Sequence, residues 1–144
     1  MKSKREIKKI AQKCISIEVD EAKNLINKID DNFVDVVNVL YQTRGRVIIT
    51  AIGKSANISN KIVATLNSTG TPAIFVHAAE ALHGDLGVIN SEDAIICISN
   101  SGNTNEIKLL ISQIRSLSNK LIAITGNSSS FLAKQADYVL DVGV

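Results

Sequence analysis

The segment Ser99-Asn100-Ser101-Gly102-Asn103-Thr104 places hydroxyl and amide side chains and a glycine between two apolar patterns. The apolar run before it predicts a buried strand, and the apolar spacing of three and four residues after it predicts a helix. Such a junction leaves backbone N–H groups unpaired beside the positive end of the helix dipole. It therefore suits a phosphate. From these residues alone a capped turn is the alternative, because Ser, Asn and Thr are also ordinary helix N-caps.

A second junction of the same kind lies at Gly53-Lys54-Ser55, after the apolar run 47–52 and before another helical pattern. In an open α/β sheet, ligands bind beyond the carboxyl ends of the strands, so the two junctions are expected side by side. The chain has neither the Walker pattern before Lys54 nor a Gly-x-Gly-x-x-Gly after a strand. A nucleotide or other cofactor is therefore not expected, and a smaller phosphorylated ligand is favoured.

The elements that must position these junctions are five short apolar runs that alternate with helical patterns, typical of strands covered on both faces. The strands are predicted at 46–52, 73–76, 94–99, 121–125 and 137–142. The fold class is α/β, a doubly wound parallel five-stranded sheet flanked by helices. N-terminal helices packing on the domain are assigned to 1–45, and the core to 46–144. The first helix is expected over 3–29, and the second ends near Gly45.

The bulk composition describes one ordinary soluble domain. Apolar residues make up 45% of the 144 residues and charged residues 21%, and aromatic residues make up only 3%. The low aromatic content disfavours a single-stranded nucleic-acid platform, and the basic cluster in residues 1–13 is interpreted as a solvated helix face. Cys14 and Cys97 are expected to be buried, without a disulfide. No bilayer-spanning run or secretion signal is found, so the cytoplasm is the expected compartment, with no membrane partner.

Both histidines lie in the segment Val76–Gly87, together with Glu80 and Asp85. A histidine near a carboxylate could move protons. Metal binding is disfavoured, because His77 and His83 are six residues apart, which is not a helical i, i+4 pair. The third possibility is that Glu80 and Asp85 cap a short helix while the histidines are half exposed.

Taken together, these motifs resemble the sugar isomerase (SIS) domain, and most closely the arabinose-5-phosphate isomerase family. The resemblance runs from about residue 6 to the last residue. The matching segments are Gly53-Lys54-Ser55, Ser68–Pro72, Val76–Gly87, Ile98–Gly102 with Glu106-Ile107, and Ile124-Thr125-Gly126. Five motifs in the same order are much more specific than any one of them.

The resemblance implies an aldose–ketose isomerase that interconverts ribulose 5-phosphate and arabinose 5-phosphate through an enediolate, as a homo-oligomer and without a metal. The phosphate-binding residues it implies are Ser55, Ser99, Asn100, Ser101 and Thr104. Glu106 corresponds to a catalytic carboxylate, Lys54 would stabilise the enediolate oxygen, and His83 would act as acid–base in a site shared with another subunit. The alternatives are a first-turn acid, a solvated lysine and a loop histidine, respectively.

The chain also departs from this family. Thr104 is closer to the broader pattern Ser-x-Ser-Gly-x-Thr. A further carboxylate beyond the fifth strand, a His-Pro-Gly-Gly segment and regulatory CBS modules would all follow Val144, the last residue. The alternative expectation is therefore a phosphosugar-binding module without turnover. A part of one sheet face would also lack its own cover, which the N-terminal helices, a partner subunit or further chain would supply.

Overall fold

The chain folds into a parallel five-stranded sheet between two layers of helices, in a computed structural model that describes residues 2–143. The strands are β1 (Val47–Ala51), β2 (Ala73–His77), β3 (Ala94–Ile98), β4 (Leu121–Thr125) and β5 (Tyr138–Asp141). The α-helices are α1 (Lys4–Asn24), α2 (Asp31–Gln42), α3 (Lys54–Ser68), α4 (Ala78–Ala81), α5 (Asn105–Ile114) and α6 (Phe131–Gln135). Short 3-10 helices occupy Leu25–Lys28 and Asp85–Val88.

The strand order is β2-β1-β3-β4-β5, and every neighbouring pair is parallel. From β1 the chain passes to one edge of the sheet at β2. It then crosses back to β3 and continues outward to β5. The direction of winding therefore reverses between β1 and β3. This arrangement confirms the predicted doubly wound α/β fold and places its switch point between those two strands.

Alternate residues of the strands point to opposite faces, and each face has its own apolar core. One core combines Ile48, Ile95 and Cys97 with apolar residues of α4, α5 and α6. The other combines Val47, Ile49, Ile96 and Ile122 with apolar residues of α2 and α3. Helices α3 and α5 therefore lie on opposite faces of the sheet.

The two N-terminal helices differ in how they contact the sheet. Helix α2 buries Val36 in the second core and packs beside β5, where the Asn32 side chain donates to the Val139 carbonyl. Helix α1 buries no side chain against the described residues, and Cys14 is exposed. The prediction that Cys14 is buried is wrong, because an apolar helical face does not by itself determine what covers it. Cys97 is buried as predicted, and burial raises the pKa of its thiol to about 12.

Gly45 has a different role from the predicted one. Helix α2 ends at Gln42, three residues before this glycine. The Gly45 N–H donates to the Glu92 carbonyl at 3.0 Å, and a Cβ atom at position 45 would overlap the Asp93 carboxylate. The glycine therefore permits a close approach of two loops and does not terminate the helix.

The Asp93 carboxylate makes several polar contacts at the end of the sheet where the parallel strands begin. It is 4% exposed and accepts hydrogen bonds from the Arg46 N–H at 2.7 Å and the Asn90 N–H at 2.9 Å. The Arg46 guanidinium lies 3.3 Å from its second oxygen. Burial raises the pKa of Asp93, but the N–H donors and the charge of Arg46 outweigh burial and hold that pKa below its ordinary value. The ionised carboxylate therefore ties β1 to the turn before β3.

We expect Asp93→Asn to lower the free energy of unfolding by about 2 kcal/mol at pH 7, because an amide cannot replace all the charge-assisted bonds of a buried carboxylate. A carboxyl group whose pKa is lower in the folded state than in the unfolded chain, where it is near 3.9, stabilises the fold at pH values above about 3.9. This contribution disappears as the pH falls through the folded-state pKa. The deficit of the variant should therefore shrink below about pH 4. Urea unfolding at pH 7 and pH 3 measures both values.

The exposed neighbour variant Glu92→Gln is the matched control and should stay within about 0.5 kcal/mol of wild type. An Asp93→Asn deficit of the same size at both pH values would contradict the ionised-carboxylate account.

Candidate functional site

The two predicted junctions meet at the switch point of the sheet. Ala51 of β1 pairs with Ile98 of β3, and paired strands lie about 4.8 Å apart. Gly53-Lys54-Ser55 and Ser99–Thr104 leave these two neighbouring strands at the same edge. Since α3 and α5 then pass to opposite faces, a crevice opens between the two loops. The structure thus brings together the segments that the sequence places at adjacent strand ends.

The Ser99–Thr104 loop, which we name the β3 loop, has one buried anchor and an exposed polar rim. Ser99 is buried, and its hydroxyl accepts a hydrogen bond from the Gly102 N–H at 3.1 Å. Asn100, Ser101 and Thr104 are exposed. Thr104 occupies the N-cap of α5, and its side chain makes no capping bond there. The exposed rim therefore presents short polar side chains beside the first turn of a helix.

The loop after β1 contributes positive potential from the other side of the crevice. Gly53 has a φ of +61°, and open space surrounds the position of a Cβ atom there. Lys54 begins α3 and is exposed, whereas Ser55 is half-buried. Helix α3 has 15 residues and α5 has 10, so each carries a developed dipole. Two positive helix ends and one lysine therefore meet at the crevice, with Glu106 as the acid in the first turn of α5.

The predicted acid–base residue His83 takes no part in the hydrogen bonds described for the β3 loop. It follows α4, is exposed, and its side chain makes no hydrogen bond with the described residues 2–143. The other histidine, His77, caps α4 by accepting from the Ala79 N–H at 3.3 Å. His77, Glu80 and Asp85 share a depression of about 270 Å³ beside β2. Within residues 2–143, no three His, Cys, Asp or Glu side chains are arranged to hold a metal ion.

A third segment, from the last residue of β4 to the first residues of α6, forms hydrogen bonds with the β3 loop. The Thr125 hydroxyl and the Gly126 N–H both donate to the Asn100 carbonyl, at 3.2 and 3.0 Å. Further along, the Phe131 N–H donates to the Asn103 side chain at 2.9 Å, and the Leu132 N–H donates to the Gly102 carbonyl at 3.0 Å. We name residues 125–132 the brace.

Reasoning from residue types missed the brace, because Thr125 ends a strand and Phe131 begins a helix, and neither position carries a ligand-binding pattern. The signal in the sequence is the Ile124-Thr125-Gly126 motif, which belongs to the family resemblance. Glycines let the two segments approach closely. A Cβ atom at Gly102 would overlap the buried Ser130, and one at Gly126 would overlap the Asn100 side chain.

Comparison with known proteins gives this geometry a family context. The SIS domain model matches residues 39–144. Arabinose 5-phosphate isomerase KdsD of Pseudomonas aeruginosa is 46% identical over 134 residues, which cover 93% of this chain and 41% of that protein. Arabinose 5-phosphate isomerase GutQ of Escherichia coli K12 is 46% identical over 130 residues, which cover 90% of this chain and 40% of that protein. The chain thus spans about two fifths of these curated relatives.

A solved structure of a protein from Escherichia coli CFT073, in complex with arabinose 5-phosphate, superposes with a TM-score of 0.93. The two sequences are 34% identical, and the match covers 99% of this chain and 76% of that one. The three-layer fold and the sequence motifs therefore agree with the same family. No helix among residues 2–143 is both long enough and apolar enough to cross a bilayer.

The packing of the β3 loop on its brace is tested by Gly102→Ala. Gly102 has a φ of +60°, so alanine there is strained, and its methyl group would also overlap Ser130. We expect a loss of about 3 kcal/mol in the free energy of unfolding, measured by urea titration.

Gly70→Ala is the matched control, because Gly70 has a φ of +91° but open space around its Cβ position. It carries the backbone strain alone and should cost about 1 kcal/mol. Equal losses for the two variants would show that the contact with the brace contributes nothing.

Proposed function

The chain belongs to the SIS domain family, and from that premise we propose that the β1–β3 crevice binds the phosphate group of a sugar phosphate. The observation that carries the proposal is the convergence of Lys54-Ser55 with the β3 loop at the switch point of the sheet. The names of the similar proteins support arabinose 5-phosphate as one of the sugars, and the family resemblance implies ribulose 5-phosphate as the ketose it interconverts with.

The proposed phosphate contacts follow from the charges and donors at the crevice. The phosphate would sit between the N-termini of α3 and α5, where backbone N–H groups and both dipoles favour an anion. Ser55 and Ser101 would donate hydroxyl hydrogen bonds from opposite loops, and Asn100 and Thr104 would add polar contacts. Ser99 is buried, and its hydroxyl accepts from the Gly102 N–H, which leaves the hydroxyl hydrogen free to donate to the phosphate.

We further propose that the bound sugar undergoes aldose–ketose isomerisation. In ribulose 5-phosphate, a base removes a proton from C1, and the electrons move onto the C2 carbonyl oxygen to give an enediolate. Return of a proton to C2, with transfer of the hydroxyl proton between the two oxygens, gives the aldose. Glu106 is our candidate base, Lys54 would stabilise the developing oxyanion, and His83 would move the proton between oxygens.

A second candidate function is sugar-phosphate binding without turnover. The observation that favours it is the position of His83, whose side chain makes no hydrogen bond with the described part of the chain. Without a group that moves protons between O1 and O2, the enediolate would form but resolve slowly. The binding proposal is common to both candidates, and turnover separates them.

The setting of the domain is also proposed. We assign residues 1–45 to N-terminal helices and 46–144 to the phosphosugar-binding core. We place the chain in the cytoplasm, where an exposed thiol such as Cys14 stays reduced. We also propose a homo-oligomer, and no membrane or nucleic-acid partner is part of the proposal.

Isothermal titration tests the phosphate site. Arabinose 5-phosphate should bind, and arabinose without phosphate should give no measurable heat, because the phosphate supplies the charge. Ser101→Ala removes one hydrogen bond to a charged group, which is worth about 1.5–3 kcal/mol. The dissociation constant should therefore rise by about 10-fold or more. Ser112→Ala, an exposed serine in the last turn of α5, is the matched control and should bind like wild type.

Conversion of ribulose 5-phosphate tests the role of Glu106. Glu106→Gln should lower kcat by about 10²-fold or more, since an amide cannot accept the C1 proton. Its affinity for arabinose 5-phosphate should be unchanged or higher, because a negative charge near the phosphate is removed. Glu92→Gln, at the opposite edge of the sheet, should keep full activity. Binding by the wild-type chain with no conversion at all would favour the second candidate function.

A further inference from the structure

Helix α1 carries an apolar stripe that nothing within residues 2–143 covers. The stripe consists of Ile7, Ile10, Cys14 and Ile17, and the three isoleucines are 52%, 44% and 51% exposed. Their spacings of three, four and three residues put them on one side of the helix. We name these four residues the α1 stripe.

The rest of the fold does not explain this helix. Its 21 residues extend about 31 Å, and α1 contacts chiefly the 3-10 helix that follows it. A capping box formed by Ser3 and Glu6 fixes where it begins. Most helical stability in proteins comes from packing of an apolar face, so a long helix with an open stripe indicates a contact with another molecule.

The charges along α1 indicate what that molecule is. The first half of the helix is strongly basic and the second half is acidic. In the first half Lys4, Arg5, Lys8, Lys9 and Lys13 outweigh the single acid Glu6, and in the second half Glu18, Asp20 and Glu21 outweigh the single base Lys23. A second α1 in antiparallel orientation would place its acidic half beside the basic half of the first. A parallel neighbour would place basic residues against basic residues.

We propose that α1 pairs in antiparallel orientation with α1 of a second copy of this chain, through the α1 stripe. The contact is two-fold symmetric, so each surface meets its own copy. Ile7 then lies opposite Ile17 of the partner, and Ile10 lies opposite Cys14. The apolar side chains leave water together, while the opposite charges of the two halves select the orientation.

Other partners fit these features less well. An anionic membrane or a nucleic acid would attract the basic half, but the acidic residues between 18 and 21 would oppose both along the same helix. A nucleic acid would also leave the isoleucines of the α1 stripe exposed. A second copy satisfies the apolar stripe and both charged halves at once.

The inference specifies the surface of the proposed homo-oligomer and does not involve the phosphate crevice. The two proposals can therefore fail separately. A monomeric chain that binds arabinose 5-phosphate would overturn the pairing of α1 and leave the phosphate site standing. A dimer that binds no sugar phosphate would do the reverse.

Sedimentation equilibrium of the full chain is the first test. The wild type should be a dimer or a larger even-numbered assembly at micromolar concentration, and Ile10→Glu should weaken association by at least 10-fold. Ser16→Glu adds the same charge on the polar side of α1 and should associate within about threefold of wild type. A monomeric wild type overturns the proposal, and so does an Ile10→Glu variant that associates normally. Co-sedimentation of a monomeric wild type with phosphatidylserine vesicles would identify a membrane surface instead.

Disulfide trapping tests the orientation. In a Cys14→Ser background, separate chains carrying Ile7→Cys and Ile17→Cys are mixed and oxidised. Buried Cys97, with a thiol pKa raised to about 12, does not compete. An antiparallel pair should give mostly mixed 7–17 disulfides, because those positions face each other. Predominant 7–7 and 17–17 disulfides would show a parallel pair and overturn the orientation.

Discussion

The parallel pairing of β1 with β3 is the constraint on which the rest of the structure depends. It joins strands separated in the chain by the whole of α3, β2 and α4, and it is the place where the sheet reverses its winding. Because of that reversal, α3 and α5 leave the same edge toward opposite faces. Their N-termini therefore begin beside the same pair of strand ends, which is where ligands bind in open α/β sheets. The site is therefore a consequence of topology before it is a consequence of residue type.

Residue type then decides what the crevice can bind. Gly53 has open space around its Cβ position, and Ser55 and Ser101 carry short hydroxyl side chains that let an anion approach the backbone closely. The brace fixes the carbonyls of Asn100 and Gly102 through hydrogen bonds from β4 and α6. A loop held in this way loses little conformational freedom when an anion binds, which is how preorganisation raises affinity.

The sequence was sufficient for the strands, whose bounds fall within one residue of the predicted ones. Continuous apolar runs of that length are typical of strands covered on both faces. It was also sufficient for the two loops of the site, because strand ends in a parallel sheet share one edge. It failed where a long-range contact decides the outcome. Gly45 faces Asp93 across the sheet edge, Cys14 is left uncovered by the described residues, and the brace depends on a neighbour that local patterns do not specify.

Two features of the chain have no partner within residues 2–143: the α1 stripe, and the side chain of His83. An exposed apolar stripe is unfavourable in water, and an acid–base histidine acts only within hydrogen-bond reach of its substrate. A second copy of the chain would cover the stripe, and the family resemblance implies that His83 acts in a site shared with another subunit. Burial of the α1 stripe and placement of His83 are separate requirements, because the first needs an apolar surface and the second needs a substrate within hydrogen-bond reach.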